Sequence, residues 1–168
     1  KQWGDTAAIL KIEGDALQLM GEARYFSDDY DGALEAYGTS IARYEQALKA
    51  GGDDSEISAA LGVARWSRGN TYIDTERPEF AAEDYAVAID IVSVAVARDP
   101  ADTSTARRLA ILKGSRAMAL VRMGDSEPAI ALMLEVDDWF TSQARAEPDT
   151  PGAQRSLAVS HHMTGDIY

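Results

Sequence analysis

His161 and His162, with Asp166 close behind, are the one place in this 168-residue chain where a metal or acid–base site could begin. His162 and Asp166 are four apart and would share a helix face, a spacing able to ligate zinc. No third ligand stands near them, and the equivalent slots of an earlier internal repeat hold Trp66 and Asn70. The pair therefore reads as helix surface. A second cluster, SDDYDG at 27–32, gathers Asp28, Asp29 and Asp31. A calcium loop needs a Glu six residues past its Gly, and Gly38 stands there. These acids read instead as helix caps and first-turn charges. There is no Gly-rich phosphate loop, no Gly-x-Ser-x-Gly elbow and no basic stripe with aromatics. The expectation is a protein without catalytic residues, metal or cofactor, and not an enzyme.

Composition narrows the partners. Twenty-eight acids against 16 bases give a formal charge of −12. Phosphate backbones and anionic lipid surfaces repel such a chain, so neither nucleic acid nor membrane is expected. A basic protein segment is favoured, although much of the acidity serves solubility. Hydrophobic residues make up 46% of the chain, enough for a core. No apolar run approaches the ~18 residues of a membrane span. Cysteine is absent, which excludes disulfides and thiolate chemistry and is compatible with the cytoplasmic location expected here. The start at Lys1 rather than Met reads as a piece of a longer protein.

The elements that would position any site emerge from self-comparison. At an offset of 48, Ala33, Ala81 and Ala129 align, as do Gly21, Gly69, Ala117 and Gly165. Tyr37 meets Tyr85 and Met133, Leu61 meets Leu109 and Leu157, and Tyr44, Val92 and Phe140 keep one apolar slot. No gap is needed. The units run about 1–52, 53–100 and 101–148, with a partial fourth at 149–168, all within one repeat domain.

Each unit reads as helix, turn, helix, turn. In the second, Asp53 offers an N-cap with Glu56 three residues on. The helix that follows is stopped at Arg77-Pro78, and Pro78 suits the first turn of the next. That next helix runs to Arg98-Asp99-Pro100. It is rich in Val and Ile, but its Ala content, its length and its lack of alternation decide against a strand. Gly51-Gly52 and Glu147-Pro148 supply the equivalent stops. One helix pair cannot bury its own apolar face, whereas stacked pairs can.

Small-x-x-Tyr in one helix, followed by DYDGALEAY or PEFAAEDYAVAI opening the next, resembles the tetratricopeptide repeat (TPR). Gly21, Tyr30, Ala33 and Tyr37 carry the match in the first unit, and Gly69, Tyr72, Ala81, Tyr85 and Ala88 in the second. Gly124, Asp125 and Ala129 carry it in the third, where Leu120 and Met133 replace the usual aromatics. The usual period is about 34 residues; here the helices are extended, as in long-period units that trail signalling domains in bacterial multidomain proteins. The resemblance implies an all-α, right-handed superhelix of antiparallel helix pairs with about seven helices. It also implies a non-catalytic scaffold that binds a peptide or protein in a concave groove.

Inward-facing first-helix positions of that family fall on Gln18, Glu22, Tyr25, Trp66, Asn70, Ile73, Met118, Val121, His162 and Asp166. The family's carboxylate clamp is absent, since only Asn70 matches it. The expected groove has acids at both ends, no lysine, and Arg122 as the nearest base. Trp66 is its expected anchor. The alternative reading is a structural module that self-associates or spaces domains, with homodimerisation through the C-terminal end around Leu157, Ile167 and Tyr168.

Overall fold

The computed structural model describes residues 2–51 and 55–146. Six helices follow in order: α1 (Gln2–Tyr25), α2 (Tyr30–Gly51), α3 (Ser55–Asp74), α4 (Pro78–Arg98), α5 (Thr103–Met123) and α6 (Ser126–Ala146). Each packs on the next, and α1 also touches α3. The chain is all-α, and no strand occurs among the described residues. Among the described residues the count is six in place of the seven expected. The seventh, at 149–168, lies outside the described residues, as do Asp53, Gly52 and the stop at Glu147-Pro148.

The turn inside each unit is built three times on one plan. Asp28, Glu76 and Gly124 stand 48 residues apart, and each takes a left-handed backbone, with φ of 60°, 58° and 87°. Around them the amides of Asp29, Arg77 and Asp125 donate back to the carbonyls of Arg24, Tyr72 and Leu120 at 3.0, 2.8 and 2.9 Å. This is a Schellman closure, which satisfies carbonyls at the end of the first helix. Only the third unit uses glycine for the left-handed residue, where an ordinary residue costs roughly 1–2 kcal/mol.

Helix starts follow local chemistry. The Asp29 carboxylate accepts from the Gly32 amide at 3.1 Å, as expected of a capping acid. Pro78 sits in the first turn of α4. Asp102 caps α5, accepting from the amides of Ser104 and Thr105. Those bonds, led by the Thr105 hydroxyl, hold its carboxyl below the usual aspartate range.

Within a unit the two helices meet at contact that excludes a β-carbon. One built on Gly21 would lie 2.5 Å from the Tyr37 ring, and one on Gly69 would lie 2.6 Å from the Tyr85 ring. Gly14 faces Tyr44 in the same way at 2.6 Å. On the second helices Ala33, Ala81 and Ala129 are fully buried, and so is Ala117, which takes the glycine's place on α5. In the third unit smaller-for-larger compensation appears. Ala117 faces a cluster holding Met133, and Ala110 one holding Phe140. Gly62 is the exception. Its β-carbon would find Val92 and Ile91 at an ordinary 3.8 Å, because Val92 replaces the tyrosine.

One ionic cluster binds three helices. Asp84 of α4 is only 2% exposed. It receives the Arg68 guanidinium through two bonds, 2.6 and 2.7 Å, and Arg65 at 3.0 Å. Arg65 also reaches Glu45 of α2 at 2.7 Å. Burial alone would lower the affinity of Arg68 for its proton, but the bonds and charge of Asp84 outweigh it and raise the value. A buried carboxylate with this coordination is strongly destabilised when its partners are removed.

These contacts set opposite expectations for three substitutions. Gly62→Ala gains up to about 1 kcal/mol from helix propensity. Gly69→Ala loses about 1–3 kcal/mol by overpacking against Tyr85. Glu76→Gly gains about 1 kcal/mol by relieving the left-handed residue. Denaturant midpoints of the three variants check the signs, and a stable Gly69→Ala contradicts the tight crossing.

Candidate functional site: the face of the first helices

Helices α1, α3 and α5 are the first helices of successive units. A ladder of hydrogen bonds joins them, each rung spanning 49 residues, one more than the sequence period. Gln18 Nε2 donates to Ser67 Oγ at 3.2 Å, and Tyr25 Oη donates to Asp74 at 2.6 Å. One unit on, Trp66 Nε1 donates to Ser115 Oγ at 3.4 Å, and Arg122 donates to the Ile73 carbonyl at 3.1 Å. The donors Gln18 and Trp66 are period equivalents, and so are the acceptors Ser67 and Ser115. The face is therefore a repeated seam as well as a surface.

The seam changes what several expected groove residues present. Gln18 is 8% exposed and spends its amide on Ser67 and on Glu22 at 3.2 Å, so it offers little to a ligand. Asn70 accepts the Tyr85 hydroxyl at 2.7 Å, just as Asp15 accepts that of Tyr44 at 2.8 Å. In both cases the polar residue following the glycine holds the tyrosine that fills the glycine's space. Ile73 is partly buried against Ala81, Ala82 and Tyr85. Trp66, Met118 and Val121 remain well exposed on α3 and α5, Trp66 at 37%. His162 and Asp166 lie outside the described residues.

Two clefts of about 310 Å³ each meet at the Trp66 indole. The first, between α1 and α3, is lined by Glu22, Tyr25, Phe26, Tyr37, Ser67 and Asn70. Phe26 is 82% exposed and meets Tyr25 edge-on at 5.5 Å. The second, between α3 and α5, is walled by Val63, Ile111 and Leu112 and rimmed by Ser104, Arg107 and Arg108. Arg107 and Arg108 correct the expectation of a surface whose nearest base is Arg122, since the α5 side carries bases of its own.

Transfer of family positions missed Phe26, which directly follows Tyr25, as well as Val63, Ile111 and both arginines, which stand nearer the starts of α3 and α5. A signal for part of this existed. Val63 and Ile111 are 48 apart, and Val63 sits one helical turn before the transferred position Trp66. Among the described residues no group of His, Cys, Asp and Glu side chains is arranged to hold a metal. No described helix is long and apolar enough to cross a membrane. Compared with family models and with curated proteins, the sequence matches none.

The seam and the ring contacts lean on protonated tyrosines. Tyr25 is pushed up from 10.0 to about 12, chiefly by its bond to Asp74 and then by burial. Tyr37 and Tyr44 reach about 12 chiefly through burial, and burial also raises Tyr85. A value higher in the folded chain than in the unfolded one means stability that is complete below pH ~10 and lost as pH climbs through ~12. Thermal melts from pH 8 to 12 should fall steeply only above pH 10. Tyr25→Phe should flatten part of that fall.

Proposed function

We propose that this chain is a TPR-like, non-catalytic scaffold whose first-helix face binds a peptide or protein segment, with Trp66 as anchor. The observation that carries the reading is the pair of apolar clefts meeting at one exposed indole. A partly exposed Trp that shares its clefts with Phe26, Val63 and Ile111 is the kind of rigid aromatic centre that dominates binding energy. The polar atoms nearby are mostly paired within the seam, so the protein has little ordering left to do when a ligand arrives.

Charge gives the bound segment a direction. Glu22 lines the cleft on the α1 side, and Arg107 and Arg108 line the one on the α5 side. A partner that lays an apolar stretch over Trp66, with Lys or Arg toward α1 and Asp or Glu toward α5, satisfies both rims. The basic segment favoured by overall charge thus becomes a bipolar one. Such rim charges act mainly on association rate and salt dependence.

Trp66→Ala tests the reading. It should abolish capture of a bipolar peptide, a loss of about 2 kcal/mol or more for a hot-spot aromatic. The melting temperature should fall little, because the indole is not enclosed. A large melting drop with binding retained would move the site elsewhere. Charge reversal at Arg107 and Arg108 should slow association of an acidic-ended peptide and leave the dissociation rate nearly unchanged, read by surface plasmon resonance.

A further inference from the structure

In the first unit the Tyr44 ring fills the space over Gly14, and in the second no ring takes the corresponding place. There Val92 stands for Tyr44 and Gly62 for Gly14. A β-carbon on Gly14 would lie 2.6 Å from the Tyr44 ring, whereas one on Gly62 meets only methyl groups, at 3.8 Å. The cleft of about 310 Å³ between α3 and α5 opens beside both Gly62 and Val92.

Other exchanges widen the same junction. In the first one Leu10 and Ile57 pack with Tyr44, and Lys11 pairs with Glu56 from α1 to α3. Their equivalents are Ser58, Thr105, Ala59 and Ser104, all smaller and uncharged. Ser104 lines the Trp66 cleft. The other three line an adjoining cleft of about 610 Å³, which shares Val92 and Arg108 with the first.

The Trp66 cleft is layered by polarity. Gly62, Val92 and Leu112 make a buried floor, and Val63, Trp66 and Ile111 stand above it as exposed apolar walls. Ser104, Arg107 and Arg108 are exposed at the rim, and no acid lines the cleft. Among the described residues neither arginine forms a salt bridge, and Arg108 is the weakest of the influences on Asp102. Val63 also stands where Asp15 receives the Tyr44 hydroxyl, so the cleft suits a phenyl ring better than a phenol.

We infer that this cleft receives the ring of a phenylalanine in a partner segment, with an Asp or Glu beside it bound by Arg107 and Arg108. The ring then lies against the Trp66 indole. This occupant rests on the first-helix face being where a partner binds, and it names the residue that enters. A second copy fits less well. Phe26 is the most exposed phenylalanine of the described chain, but it already meets Tyr25 edge-on. The acids after it are engaged as well, Asp28 by the Tyr30 hydroxyl and Asp29 by the Gly32 amide and Arg24.

The probe is a labelled peptide, Lys-Lys-Ser-Leu-Ser-Phe-Asp-Glu, compared with forms carrying Ala or Tyr in place of Phe. Fluorescence polarisation should show the Phe form binding about tenfold or more tighter than the Ala form, with the Tyr form between them. Val92→Phe fills the floor from within. It should bring the Phe form down to the level of the Ala form, while the melting temperature holds or rises. Should that variant not fold, Arg107→Ala with Arg108→Ala serves instead, since both side chains are exposed. This double variant should erase the preference for the peptide over one ending in Ser-Ser. Equal binding of the Phe and Ala forms, both lost in Trp66→Ala, overturns the phenylalanine site and leaves the groove standing. Binding of neither form overturns both. A self-associated chain in sedimentation that Phe26→Ala dissolves also overturns the inference, because the occupant is then a second copy.

Discussion

Tyr37, Tyr44 and Tyr85 press against backbone that has no side chain to offer, and the spacing of the helices follows from that. A β-carbon at Gly14, Gly21 or Gly69 would overlap ring carbons by far more than packing tolerates. The ring occupies the space the glycine vacates, and its hydroxyl reaches the next polar residue along, Asp15 or Asn70. That brings the first and second helices of a unit so close that Ala33 and Ala81 between them are fully buried. With the pair fixed, the outer sides of both helices point to the neighbouring units, and the first-helix face acquires its seam and its clefts.

Much of this was legible in the sequence because repetition multiplies weak signals. No single Gly, Ala or Tyr identifies a close helix pair, but the same trio recurring 48 residues apart does, and Ala33, Ala81 and Ala129 proved buried together. Stops at Arg77-Pro78 and Arg98-Asp99 were equally plain, since proline and the acids beside it act locally. The left-handed turn was harder to see. Asp28 and Glu76 look like ordinary surface acids, and only Gly124 betrays the backbone that all three share. The Gly14–Tyr44 contact was hidden for the same reason, its later equivalents being Gly62–Val92 and Ala110–Phe140.

The seam and its clefts were legible as a face and not as a set of contacts. The transferred positions fall on the face of α1, α3 and α5 that carries the clefts, but they cannot tell a residue open to solvent from one that faces the adjacent helix. Gln18 and Asn70 are taken up internally, while Phe26, Arg107 and Arg108 gain importance from neighbours distant in sequence. The Asp84 cluster was hidden too. Its period equivalents are Ala36 and Leu132, so self-comparison treats it as an ordinary apolar slot.

That cluster makes the array uneven. The junction between the first and second units adds opposite charges, Arg65 to Glu45 and Lys11 to Glu56, to an apolar cluster of Ile41, Tyr44 and Ala47 with Ile57, Leu61 and Ala64. The junction between the second and third leans on Leu112 against Ile89 and Val92, and on Ala119 against Ala82 and Tyr85. Ionic and apolar contacts respond differently to the surroundings: salt screens the one, while cooling weakens the other. A repeat protein in which salt loosens one joint and spares the other has no single softest point. Where it yields first is set by its medium.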